Sequence, residues 1–287
     1  MIIKKNVDLA KHSTIRIGGI AEKIYFPQNI EDIKFLLKKA NQENKKFIPI
    51  GIGSNVIFKD GFHKDIFVST HYLKGLNITE KGSYVYIEAE AGVSFKELVA
   101  IVKRLNLEGF ENLSGIPASV GGAIVMNAGA FGSEIFDILE KVYWIDNDRN
   151  LRILDKKDIS YSYRWTQFQN NGLVFKGIFK LKRSNKNISE LIKKHLLERK
   201  KKQPLNLPTG GSTFKNTERF PAGYLLEKSG LKGFRIGDVG FSEKHANFTV
   251  NYGKGSFKDF IKLINLAKER VKERFGIDLE LEMKILP

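Results

Sequence analysis

The 287 residues carry 48 Lys and Arg against 32 Asp and Glu, a formal charge of +16, and include 21 Phe but no Cys. Without cysteine there are no disulfides, thiolate metal sites or cysteine nucleophiles, and the five histidines form no HxH or HxxxH pair, so no metal site is expected. No apolar run approaches a membrane span and the opening MIIKKNVDLAKHST has no apolar signal core, which predicts a soluble, cytoplasmic protein of two or three domains with no membrane insertion.

In chain order, residues 1–68 read as a small α+β unit. A helical pattern, IEDIKFLLKKANQENKKF, is accompanied by short strands FIPI, NVIF and DIFVS, with GIGSN turning between two of them. Across 69–183, YVYIEAEA alternates as a strand. SFKELVAIVKRLN opens with a capping box, Ser94 as cap and Glu97 three residues on. The stretch from Gly109 to Gly132 is too glycine-rich for regular structure, and strands KVYWIDN and LVFKGIFKLK follow. In 184–287, ISELIKKHLLERKKK sets Ile188, Leu191, Ile192 and Leu196 on one helical face. Pro204 and Pro208 flank a linker leading to GGSTFKN. A second helix, SFKDFIKLINLAKERVKERF, is capped by Ser256 with Asp259 completing the box, and Gly276 stops it. The terminal LELEMKIL reads as a strand, with Leu279, Leu281, Met283 and Ile285 opposite Glu280, Glu282 and Lys284.

Four segments carry candidate chemistry. In GIGSN the glycines permit close backbone approach to a phosphate, and Ser54 and Asn55 add hydrogen-bonding side chains. A Rossmann reading fails, because no third glycine opens a helix, and a plain strand–turn–strand fits equally. GIPASVGGAIVMNAGAFG (115–132) exposes enough backbone for an extended ligand, or packs as a loop between domains. In YSYRWTQF, Arg164 suits a carboxylate or phosphate, or a surface cation–π pair. GGSTFKN reads as a phosphate cradle, a nucleophile turn or an ordinary tight loop. Glu282, on the polar face of a strand, gains no role from spacing alone. The basic residues are mostly interspersed with Glu, as in KERVKERFG, and no basic-aromatic stripe recurs. The charge is therefore read as solubility and attraction of an anionic small molecule, with no nucleic-acid partner.

Taken in order, STIRIGG, GIGSN, GFENLSGIPASVGGAIVMNAGAFG, YSYR, KQP, GGSTFKN, SEKHANFTVN and LELEM resemble the UDP-N-acetylenolpyruvoylglucosamine reductase (MurB) family, in its shorter subgroup, over nearly the whole chain. The resemblance implies an α+β, non-Rossmann FAD-binding fold of the vanillyl-alcohol-oxidase or PCMH type. Two FAD-binding subdomains, 1–68 and 69–183, would be followed by a C-terminal substrate-binding domain, 184–287. It implies non-covalent FAD lined by Gly51, Ile52, Gly53, Ser54, Asn55 and Val56, and by Gly115, Ile116, Pro117, Ser119, Val120, Gly121, Asn127, Ala128 and Gly129. NADPH would reduce the flavin, and UDP-N-acetylglucosamine enolpyruvate would then take the hydride to become UDP-N-acetylmuramate, for peptidoglycan.

By the same resemblance Ser212 donates the proton, while Arg164 and Glu282 polarise the substrate carboxylate. Glu282 must then be protonated or share a proton, because a bare carboxylate repels the developing charge. Tyr163, Lys202, Lys215 and Asn216 match substrate-binding positions, and the protein is expected to be a monomer. Three positions depart from the family pattern: Ala118 stands in GIPA for GIPG, Thr217 in FKNT for FKNP, and Asp238 in GDV for GGA. A flavin oxidase or dehydrogenase on the same fold, using oxygen, is the rival enzyme, and a basic RNA-binding module the rival outside catalysis.

Overall fold

Leu173–Arg183 is the longest strand, and its neighbours define the larger sheet. Leu151–Asp155, Leu139–Ile145, Leu173–Arg183, Tyr84–Glu90 and Leu76–Lys81 lie side by side, and Leu107–Glu108 adds a short sixth strand. Pairing of Phe179 with Ile87 and of Leu181 with Val85 aligns apolar positions on one face. Helix Phe95–Leu105 covers that face with Phe95, Leu98, Ile101 and Val102. Its entry is the expected capping box: Ser94 Oγ accepts from Glu97 N at 3.2 Å, and Glu97 Oε2 accepts from Ser94 N at 2.7 Å. Burial of each such side chain contributes about 1.5–3 kcal/mol.

A computed structural model describes residues 1–287 and divides them into two units. The first comprises Met1–Lys5, Lys23–Ile52 and Lys64–Glu198; the second comprises Asn6–Glu22, Gly53–His63 and Arg199–Pro287. Besides the larger sheet, the first unit holds a parallel strand pair, Phe47–Ile50 with Ile66–Ser69, covered by helix Ile30–Gln42 through Ile33, Leu36, Leu37 and Ala40. In the second unit, Thr209–Ser212, Phe248–Asn251, Val239–Phe241 and Arg235–Ile236 form a four-stranded antiparallel sheet. Helix Phe257–Phe275 buries Phe260, Leu263, Ile264, Ala267 and Val271, a helical stripe packed with Phe214, Leu225, Phe241 and the early residues Ile15, Ile17 and Ile57. Ser256 accepts from Asp259 N at 3.1 Å, but Asp259 returns its carboxylate to the Ser256 hydroxyl instead of the backbone. Gly276, at φ 67°, ends the helix as expected.

Several sequence expectations change. The terminal LELEMKIL is not one strand: only Lys284–Leu286 is extended, pairing in parallel with Val56–Phe58, while Leu281 makes an isolated bridge to Phe214. The break has a local cause. The consecutive amides of Glu282 and Met283 both point at the Thr213 carbonyl, at 2.9 and 3.4 Å, which the alternation of a regular ladder forbids. The glycine-rich stretch contains a short helix, Val120–Val125, whose small residues fit against its neighbours: a Cβ on Gly121 would sit 2.8 Å from that of Ala91. The first helix stops at Gln42, before the KKF that was included in its pattern. Leu196 is 42% exposed, so it leaves the apolar face on which Ile188 and Ile192 are buried.

Candidate active site

In the first unit, Arg164 is held against the glycine-rich stretch. Its Nη1 donates to the Asn127 carbonyl at 3.3 Å and its Nη2 to the Gly129 carbonyl at 2.9 Å, with Glu134 at 3.9 Å. The guanidinium also lies 4.7 Å from the Tyr163 ring centre, and Tyr163 is exposed. The cation–π reading of YSYR therefore has a structural counterpart. Asn127 is fully buried; its Nδ2 donates to Glu134 Oε2 at 2.7 Å and to the Ser162 carbonyl at 3.0 Å. Asn127 and Arg164 both adopt left-handed backbone, φ 42° and 56°. Such conformations in residues bearing a Cβ are costly and concentrate at functional sites.

Ser119 caps the Val120–Val125 helix by position but makes no capping bond, and its buried hydroxyl has no protein partner. Asn127 Oδ1 is likewise buried without a partner. Gly51 comes so close to Ser119 that a Cβ would lie 2.4 Å from its Oγ. Ile52 is exposed, as are Gly115 and Pro117. Ile116 donates its amide to Leu113. The amides of Val120, Gly121 and Ala128 are taken by the carbonyls of Val93, Ala91 and Ala123, and the Val120 side chain is core.

In the second unit, the Gly210, Gly211 and Ser212 of GGSTFKN lie in the edge strand Thr209–Ser212 and not in a tight turn. Ser212 pairs with Phe248 and Thr209 with Val250, with a bulge at Gly210 and Gly211 between them. The segment carrying Glu282 runs alongside: Glu282 N donates to Thr213 O, and Glu282 O accepts from Asn55 Nδ2 at 3.2 Å. Ser212, Glu282 and Asn55 thus share one backbone network, completed by the 2.9 Å bond from Lys284 N to Asn55 O. Gly53, at φ 75°, lies where a Cβ would strike the His12 carbonyl at 1.9 Å, so this turn requires glycine. Ser54 follows it half-buried, and Val56 begins the strand paired with Lys284.

Lys215 pairs with Glu280 at 2.5 Å. Burial, and then the charge of Lys215, hold the Lys284 ammonium below the usual lysine range, with Glu280 and Glu282 acting in the opposite direction. Asn216 is exposed and accepts from Ala222 N at 3.0 Å, while Lys202 lies exposed at the end of helix Ile188–Lys202. Burial also pushes His245 below the usual histidine range, and its Nδ1 faces Asn247 N at 3.3 Å. Sequence reasoning missed Glu134 and Thr213, and placed Asn247 in SEKHANFTVN without a role. Their signal is tertiary: each is identified by the backbone or guanidinium it holds, and not by spacing.

Residues 203–286 match the C-terminal domain model of UDP-N-acetylenolpyruvoylglucosamine reductase, and residues 21–153 match an FAD binding domain. The chain is 45% identical to the reductase of Aquifex aeolicus (strain VF5), over 100% of this chain and 96% of the relative. It is 38% identical to that of Fusobacterium nucleatum, over 100% of both. The chain belongs to the UDP-N-acetylenolpyruvoylglucosamine reductase family. The crystal structure of the Thermus caldophilus reductase superposes with a TM-score of 0.84 at 30% identity, over 100% of both chains. The flavin-binding α+β fold expected from the resemblance is therefore present.

FAD fits the residues of this reductase. The Ser119 hydroxyl and Asn127 Oδ1 are buried polar atoms that the protein itself does not satisfy, an arrangement that is costly unless a ligand completes it. Gly51 keeps clear the space beside Ser119 that any other residue would fill. The three departures from the family pattern are each accommodated. Ala118 is not among the left-handed residues, so its Cβ causes no strain. Thr217 closes its own turn, its hydroxyl accepting from Phe220 N at 3.0 Å and donating to Phe220 O at 2.9 Å. Asp238 accepts from Lys254 N at 2.7 Å and so braces the turn after strand Phe248–Asn251.

Proposed function

We propose that this protein reduces UDP-N-acetylglucosamine enolpyruvate to UDP-N-acetylmuramate in two half-reactions, with NADPH as the reductant. The carrying observation is Arg164. In a chain of this reductase family, the one arginine of YSYR has its planar fork oriented by the carbonyls of Asn127 and Gly129, in the stretch whose unsatisfied polar atoms fit FAD. FAD, held at Gly51, Ser119 and Asn127, would supply the two-electron chemistry between NADPH and the terminal alkene carbon.

The residues of the chain handle the charge and proton that remain. Negative charge develops on the adjacent carbon and spreads into its carboxylate. Arg164 stabilises that charge, a role its fixed orientation suits because no reorganisation is needed as charge builds. Glu282 assists in its protonated form. Ser212 hands the hydroxyl proton to the carbon and recovers one from solvent. Lys202, Lys215, Asn216 and Tyr163 anchor the nucleotide sugar, Lys215 by exchanging its bond to Glu280 for one to a diphosphate. We propose further that the enzyme works as a monomer in the cytoplasm.

Anaerobic mixing tests this reading. NADPH should bleach the yellow protein, and UDP-N-acetylglucosamine enolpyruvate should restore the colour. Ser212→Ala should bleach at the normal rate and recover about 10²–10⁴-fold more slowly, the usual worth of a positioned acid. Normal recovery in that variant removes Ser212 from its role. A flavin that NADPH does not bleach overturns the reductase reading.

A further inference from the structure

Thr213 lies between the segments that carry Ser212 and Glu282, and each of its polar groups is engaged. Its N–H donates to Asn247 O at 2.8 Å, and its carbonyl accepts from Glu282 N at 2.9 Å. Its hydroxyl is 2.7 Å from Thr249 Oγ1 and accepts from Thr249 N at 3.0 Å. The next residue, Phe214, is gripped by the Asn247 amide on both backbone groups: Phe214 N donates to Oδ1 at 2.9 Å, and Nδ2 donates to Phe214 O at 2.8 Å.

The reason for a side chain in this place is topological. The ladder to Phe248–Asn251 ends at the Ser212–Phe248 pair. Beyond it the backbone groups of Phe214 still need partners, because the residue is fully buried. Asn247 provides both, acting as a one-residue extension of the strand. Thr213 is 0% and Asn247 3% exposed, so water does not compete for these bonds. The network belongs wholly to the second unit.

Resting on the proton-donor reading of Ser212, we infer that Thr213 and Asn247 are positioning residues that hold Ser212 and Glu282 in fixed register for proton delivery. Proton transfer needs heavy-atom distances of about 2.6–3.2 Å, and a displacement of about 1 Å can cost on the order of 10²-fold in rate. Thr213→Val keeps the shape and removes the hydroxyl, leaving Thr249 N without that partner. Thr213→Ser keeps the hydroxyl. Asn247→Asp keeps the acceptor for Phe214 N but sets a carboxylate oxygen against the Phe214 carbonyl.

The experiment follows each half-reaction by stopped flow, in H₂O and D₂O, on flavin-loaded protein. Thr213→Val and Asn247→Asp should be reduced by NADPH at the wild-type rate. Their reoxidation by UDP-N-acetylglucosamine enolpyruvate should slow by roughly 10–10²-fold, with an enlarged solvent isotope effect as the misplaced proton becomes limiting. Thr213→Ser should restore most of the rate. Wild-type reoxidation in both variants, equal slowing of both half-reactions, or slowing with an unchanged isotope effect overturns the inference. If one variant fails to retain flavin the other decides, and failure of both assigns the pair a purely structural role. Ser212→Ala run in parallel separates the two readings. Its normal reoxidation removes the proton donor itself, whereas its slow reoxidation beside unaffected Thr213 and Asn247 variants removes only the clamp.

Discussion

Ser119 and Gly51 carry the fit to a flavin at the residue scale. A buried hydroxyl without a partner costs about 1–3 kcal/mol, whereas a typical hydrogen bond returns only about 0.5–1.5 kcal/mol. Ser119→Ala should therefore leave the melting temperature of flavin-free protein unchanged or raise it, while weakening FAD binding several-fold. Thermal shifts with and without FAD measure both, and a destabilised flavin-free variant with normal FAD affinity contradicts the assignment. The sequence presented Ser119 as one small residue among many. Its importance depends on Gly51, 2.4 Å from it by the position a Cβ would take and far away in the chain. Arg164 is similar: its type and aromatic neighbours were legible, but its two carbonyl acceptors at Asn127 and Gly129 were not.

Helix boundaries were the most legible elements, because caps are local chemistry. Ser94 and Glu97 form the box that their spacing predicts. The Ser94 hydroxyl, together with its backbone amide and Lys74, holds Glu97 at about 2, below its ordinary 4.5. A carboxylate depressed on folding adds stability that is fully present above 4.5 and lost as the pH falls toward 2. Wild-type protein should accordingly melt above Glu97→Gln at neutral pH, with the difference closing across that window. A gap independent of pH would show that the charge is immaterial. Ser94→Ala should cost about 1 kcal/mol, the usual worth of an N-cap, readable by urea denaturation. Strands were less legible. LELEMKIL alternates from Leu279 to Ile285, yet Glu282 and Met283 leave the ladder to share the Thr213 carbonyl. Alternation specifies two faces; it does not specify which partner the backbone will find.

Over the whole molecule, the +16 charge acts at long range and belongs to association, not to fold. If it draws in a UDP-sugar, kcat/KM for that substrate should fall as salt shortens the Debye length from about 10 Å at 0.1 M to about 3 Å at 1 M, with kcat little changed. A flat salt profile assigns the charge to solubility alone. Chain connectivity behaves differently. GIGSN is continuous in sequence, but Ile52 closes a stretch of the first unit and Gly53 opens one of the second. Phe47–Ile50 and Val56–Phe58, which flank it, pair with Ile66–Ser69 and Lys284–Leu286 respectively and never with each other. The sequence by itself determined the family, the flavin, the helix caps and the residue types available for chemistry, because ordered motifs and local hydrogen bonding are properties of neighbouring residues. Only the tertiary structure decided which glutamate pairs with Lys215, which carbonyls orient Arg164, and that Thr213 and Asn247 bind the Ser212 strand to the Glu282 segment. Those contacts join residues tens of positions apart, and their partners are chosen by packing and by the demand that every buried backbone group be satisfied.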